Sequence, residues 1–237
     1  MKSLIYAMVP ARVGSTRLKL KNIRLLHEKP LIWYGVNAAQ NAGFFDKVFI
    51  NSDEGLWGKL AQDYGCEFYH RNSEFATSIS TADDVIYDFF KNNPECDFLF
   101  WINTTNPFQP YEDYEKAFRF FIEQNLDGLI TTTKDKIHTR FMGKPLNYNA
   151  NDKLPKTQDI EPVEIFAFPF SIWRRESFMR NYESYGYAYL CGNIGYWEVN
   201  KLAAVEIDDE EDFLFANAIL YGRDNPLCYK KEYAKLD

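Results

Sequence analysis

The sequence predicts an α/β fold whose central sheet is mostly parallel and wound on both faces. Two observations carry this. Short apolar runs bounded by turn residues alternate with stretches of helical spacing along the 237 residues. One run, residues 97–102 (DFLFWI), is apolar almost throughout, as a central strand covered on both faces must be.

Residues 3–9 (SLIYAMV) stop at Pro10 and read as a buried first strand, with a loop to Asn22. Residues 30–41 place Leu31, Tyr34, Val36 and Ala38 at helical spacing, with Pro30 in the first turn and Gly43 just beyond the end. A second strand at 47–50 leads to Asp53, expected to cap a helix through Tyr64 that stops at Gly65, and residues 66–69 give a third strand. A helix over 81–92 precedes the apolar run at 97–102, and a helix over 111–125 precedes a strand at 128–133. From Lys134 to about Gln158 the pattern dissolves into polar sequence, too long for an ordinary connection and therefore an excursion or dimerisation arm. Strands are expected again at 165–173, 195–199 and 203–207, with a terminal helix over 209–221. The chain thus divides into an α/β core (1–133), an excursion (134–163) and a segment completing the core (164–237).

Hydrophobic residues at 46% and charged residues at 26% place the chain among globular proteins and exclude a disordered one. The 20 Phe and 16 Tyr supply a large aromatic payload for a core or an interface. A net charge of −7 argues against a general nucleic-acid binder, which needs clustered Lys and Arg along a phosphate backbone. A small anion is another matter: Arg12, Arg17, Lys19, Lys21 and Arg24 lie in one stretch without a single acid. The four cysteines, Cys66, Cys96, Cys191 and Cys228, lack CxxC spacing and read as reduced thiols, and three histidines do not build a zinc site. No leader-like segment or membrane-length apolar run is present, so the cytoplasm is the expected location and no membrane partner is expected.

In an open parallel sheet, ligands sit beyond the carboxyl ends of the strands. The loop after the first strand, VPARVGSTRLKLKNI over residues 9–23, has small Ala11, Gly14 and Ser15 that let backbone approach a ligand, with Arg12 and Lys21 to bring cations to it. That composition suits a triphosphate. It contains neither the GxxxxGK[ST] of a P-loop nor the GxGxxG of a dinucleotide fold.

This segment resembles the acylneuraminate cytidylyltransferases, whose first motif is close to IPARxGSxRxxxKNI; Pro10, Ala11, Arg12, Gly14, Ser15, Arg17, Lys21, Asn22 and Ile23 match it. The following KPLIWYGVNAAQNAGFFDKVFINSDE is similar to that family's next stretch through Pro30, Leu31, Ile32, Phe45, Asp46, Ser52 and Asp53. The resemblance implies a three-layer nucleotidyltransferase of the glycosyltransferase-A-like kind, a homodimer, and condensation of CTP with an acidic sugar, releasing pyrophosphate. Acceptors such as a Kdo-type sugar, a phosphonate or a phosphorylated alcohol remain open, as does a noncatalytic nucleotide-binding role. It assigns Arg12 and Lys21 to the triphosphate, and Ala11, Gly14, Ser15 and Asn22 to the nucleotide-binding loop.

Arg71, in YHRNSEFA, stands where the family has an Arg that contacts cytidine, and Ser80 and Thr81 either touch nucleotide or cap the next helix. Glu206 and Asp208 stand at the magnesium positions of a DIDTxxDF-like run; two apart on an extended segment they point the same way, while Asp209, Glu210 and Glu211 suit a helix start. On the acceptor side INTTNPFQ replaces LQPTSPLR, with Asn103 for Gln, Thr105 kept and Gln109 for Arg; Gln158 and Pro162 survive from an RQxxP segment. Asn103, Thr105 and Gln158 are therefore the acceptor-side candidates. The changes at Asn103, at Gln109 and across residues 168–173 predict an acceptor other than ordinary N-acetylneuraminate.

Overall fold

The structure, a computed structural model, describes residues 2–12, 18, 20–77 and 79–225. Seven strands form one sheet: β1 Ile5–Pro10, β2 Lys47–Ser52, β3 Glu67–His70, β4 Phe98–Ile102, β5 Gly128–Asp135, β6 Val163–Arg174 and β7 Ile194–Glu198. Their order across the sheet is β7-β5-β6-β4-β1-β2-β3. Pairings of β1 with β2, β1 with β4, β2 with β3 and β5 with β7 are parallel, whereas β6 runs antiparallel to both β4 and β5. The chain winds from β1 outward to β3 and then crosses back to place β4 on the other side of β1. That reversal opens a crevice at the carboxyl ends of β1 and β4.

Among the described residues six α-helices pack with the sheet: α1 Leu31–Ala42, α2 Leu56–Asp63, α3 Ala82–Asn92, α4 Glu112–Glu123, α5 Arg175–Tyr185 and α6 Glu210–Asp224. Because side chains alternate along a strand, β4 sends Phe98, Phe100 and Ile102 to one face and Leu99 and Trp101 to the other. The first face packs on α1 and α4 through Ile32, Val36, Tyr114 and Phe121, and the second on α3 and α5 through Val85, Ile86, Phe89 and Phe178. Phe100 sits among Phe44, Phe45, Tyr114, Phe118 and Phe170, so much of the aromatic content is core. A third, smaller cluster joins Leu18, Leu26 and Leu31 to Ile207, Phe213 and Ala216, and so pins the start of α6 beside the loop that follows β1.

Several expectations need correction. Asp53 does not cap α2: that helix starts at Leu56 behind Gly55 with no side-chain cap, and Asp53 lies 3.6 Å from Arg71 instead. Residues 203–207 do not form a strand. They run as turn and extended chain, held because the Asn106 amide donates to the Val205 carbonyl and Ile207 N–H donates to the Thr105 carbonyl. Helix α5 was not anticipated, and neither was the reversed direction of β6. The excursion spans residues 136–162, between β5 and β6, and contains a two-residue ladder pairing Arg140 with Pro145. Among the described residues no helix is long and apolar enough to cross a membrane.

Candidate active site

A cavity of about 320 Å³ opens at the crevice beside β1 and β4. Its floor is the backbone leaving β1 (Pro10, Ala11, Arg12), and its walls carry Lys21, Asn22, Arg71, Ser80, Asn103, Thr105, Glu206 and Asp208. The described part of the first loop is therefore brought together with the chain ends of β3 and β4 and with the acidic segment before α6. Gly14, Ser15 and Arg17 lie outside the described residues.

The loop's first residues are clamped by side chains from two other elements. Arg71 Nη2 donates to the Ala11 carbonyl at 2.9 Å, and Asn22 Nδ2 donates to the Arg12 carbonyl at 3.2 Å. Asn22, only 5% exposed, also accepts from the Thr104 hydroxyl at 2.9 Å. Its amide thus braces the loop after β1 against the end of β4, a role the sequence did not suggest. Lys21 occupies a short 3₁₀ turn and donates to the Ile207 carbonyl at 2.9 Å and to Asp208 Oδ1 at 3.0 Å. Arg24, one turn later, forms a two-pronged pair with Glu210 and lies over the Phe213 ring, which ties the same turn to α6.

Arg71 is 6% exposed. Burial pulls its guanidinium below its ordinary pKa and the nearby Arg12 adds to that, while Asp53 opposes both. Arg71 Nε is buried and has no hydrogen-bond partner among the described residues. Two guanidiniums that repel each other beside a cavity, one with a spare buried donor, form a surface complementary to an anion. Against these cations stand Glu206, whose Oε1 accepts from the Thr105 hydroxyl at 3.4 Å, and Asp208. Both carboxylates line the cavity, whereas Asp209 faces α6 and caps it: its Oδ1 accepts from Asp212 N–H at 3.0 Å, and Asp212 Oδ2 accepts in return from Asp209 N–H at 3.1 Å. Among the described residues no cluster of three or more His, Cys, Asp or Glu is set to hold a metal unaided. Two hard carboxylate ligands fit a cation that takes its other ligands from phosphate oxygens and water.

Ser80 and Thr81 divide their work. Thr81 forms a capping box with Asp84 at the start of α3, while the Ser80 hydroxyl reaches the Glu74 carbonyl at 3.2 Å and holds the cavity wall through Phe75 to Thr77. Of the residues expected to meet an acceptor, Asn103 and Thr105 line the cavity, but Gln158 does not: it is exposed on the excursion, where its carbonyl accepts from Lys136. Gln109 is also absent from the wall, buried at the start of α4 with its Nε2 donating to the Pro110 carbonyl at 2.9 Å. Phe170 and Trp173 are buried core residues on opposite faces of the sheet. Of the changes read as acceptor-side, only Asn103 therefore faces the cavity. Trp101, Thr104, Ala82 and Val85 line it as well, although the sequence showed them only as parts of an apolar run and of helix-start and loop segments. Burial pushes the Cys66 thiol up to about 11, and Cys96 is also buried and raised, so neither is a thiolate nucleophile at neutral pH.

The chain is 25% identical over 97% of its length to an N-acylneuraminate cytidylyltransferase of Streptococcus agalactiae, and spans 58% of that protein's length. It is 26% identical to the post-translational flagellin modification protein B of Campylobacter coli, over 89% of this chain and 92% of that one. Among solved structures, a CMP:2-keto-3-deoxy-manno-octonic acid synthetase complexed with CTP superposes with a TM-score of 0.71 at 15% identity, covering 93% of this chain and 100% of that one, which shows a shared fold. The cytidylyltransferase family model matches residues 6–161, from β1 through the end of the excursion, and on that match the chain belongs to the cytidylyltransferase family.

Proposed function

We propose that this protein transfers a cytidylyl group from CTP to an acidic sugar of the nonulosonate kind. The observation that carries the reading is the meeting of Arg12, Lys21 and Arg71 with Glu206 and Asp208 around one cavity at the carboxyl end of the sheet. The reading is supported by the names of the relatives, which include N-acylneuraminate cytidylyltransferases of Streptococcus agalactiae and Escherichia coli.

In this reaction an acceptor hydroxyl gives up its proton to solvent and its oxygen attacks the α-phosphorus of CTP. The new oxygen–phosphorus bond forms as the bond to the bridging oxygen breaks, leaving the CMP-conjugate and pyrophosphate. Little covalent chemistry falls to the protein, so catalysis rests on placement and on neutralising charge. Arg12 and Lys21 would face the triphosphate, while Asn22 and Arg71 hold the Ala11–Arg12 backbone where a phosphate can approach it. Asp208 and Glu206 would hold a magnesium ion, which when bound adds positive charge to the phosphate oxygens.

The test is pyrophosphate release with CTP, ATP, GTP or UTP against a panel of N-acetylneuraminate, 2-keto-3-deoxy-manno-octonate, phosphonates and phosphorylated alcohols. Release with CTP and an acidic sugar is expected, and its absence with CTP and every acidic sugar of the panel overturns the proposal.

A homodimer belongs to the same proposal. The excursion exposes Ile137, Phe141, Met142, Leu146 and Leu154, and the start of β6 adds Ile165 and Phe166, an apolar surface of the kind that marks an interface. Sedimentation should give twice the chain mass, and Phe141→Glu with Met142→Glu should return it to the mass of one chain. A wild-type protein sedimenting as a single chain at micromolar concentration overturns the dimer.

A further inference from the structure

Trp101 and Asn103 lie two apart where β4 runs into the site, so they share the face that looks toward α3, with Ala82 and Val85 on the opposite wall of the cavity. The backbone of Trp101 is fixed on both sides, in register with Met8 of β1 and Ser171 of β6. Its indole Nε1 donates to Asn103 Oδ1 at 3.5 Å. An indole can only donate, so this bond decides which end of the neighbouring amide faces it. The Asn103 oxygen is turned to the indole, and no hydrogen bond within the described residues engages the Asn103 Nδ2.

We propose that Trp101 is a positioning residue that orients the Asn103 amide, so that the acceptor side of the cavity offers N–H donors and selects an acceptor by an oxygen with lone pairs to give, a carboxylate above all. The inference rests on the cytidylyl-transfer reading and adds to it the group by which the acceptor is chosen. N–H groups paired with a carboxylate make charge-assisted bonds, stronger than those to a neutral oxygen. A flipped amide would instead present its own oxygen and repel that carboxylate.

The experiment is steady-state pyrophosphate release with CTP and either N-acetylneuraminate or 2-keto-3-deoxy-manno-octonate, for wild type, Trp101→Phe, Asn103→Ala and the double variant. Phe keeps the ring and loses the N–H. Trp101→Phe should raise KM for the acid about 3- to 10-fold, the range expected for one hydrogen bond, with KM for CTP unchanged. In the double variant the loss should match that of Asn103→Ala alone, because the two residues act through one contact. Asn103→Asp keeps an oxygen for the indole but removes the donors, and should raise KM for the acid more than about 10-fold at unchanged KM for CTP. Equal rises in KM for CTP and acid in Trp101→Phe, or additive losses in the double variant, overturn the inference. A wild-type protein that releases no pyrophosphate with CTP and any acidic sugar of the panel overturns the cytidylyl-transfer reading itself, so the two failures are told apart.

Discussion

Lys21→Ala is expected to lower kcat/KM for CTP by about 100-fold or more, the size of effect that follows loss of one preorganised charge donor in a water-poor site. The structure gives two reasons. Lys21 lines the cavity, and its Nζ bridges the loop after β1 to the acidic segment through the Ile207 carbonyl and Asp208. A triphosphate entering the cavity would compete with those partners for the ammonium group. The fold should survive the change: the Lys21 and Asp208 side chains are 14% and 31% exposed, and hydrogen bonds to a charged group contribute about 1.5–3 kcal/mol, a fraction of the roughly 5–15 kcal/mol that holds a domain. Kinetics of pyrophosphate release together with a thermal melt check both halves. A well-folded Lys21→Ala protein with wild-type kinetics would remove Lys21 from the triphosphate site.

Asp208→Asn should cut turnover about 100-fold, and Asp209→Asn should leave it within about twofold. Neighbours in sequence, the two acids serve different structures. Asp208 lines the cavity beside Lys21, whereas Asp209 is the N-cap of α6, a position where Asn serves nearly as well as Asp. If Asp208 holds magnesium, its variant should also need more magnesium to reach half-maximal rate, read by titrating the ion at fixed CTP. Equal losses from the two substitutions would mean that the acidic run is only the start of a helix.

How far the molecule could be read from the chain differs between its parts. Strands β1, β2 and β4 were legible because an apolar run between turn residues is a local signal, and α1 and α3 because helical spacing and end residues agree over short windows. Helix α5, RESFMRNYESY, was not, since its exposed polar residues hide the few that are buried, Ser177 and Phe178. The 203–207 segment misled because its apolar residues, Ala203 and Ile207 among them, are buried by side-chain packing rather than by ladder pairing.

The sequence by itself determined the α/β class, the basic loop that opens the site, and the family to which the loop belongs, because each is written in residues close together along the chain. Only the tertiary structure decided that β6 runs backward between β4 and β5, that Asn22 and Arg71 clamp the loop, that Gln109 and Gln158 lie outside the cavity, and that Trp101 faces Asn103 inside it. The physical reason is separation. Asn22 meets Thr104 and Lys21 meets Asp208 across 82 and 187 positions of chain, and a side chain on a two-faced strand shows which face it serves only when the layers close over it.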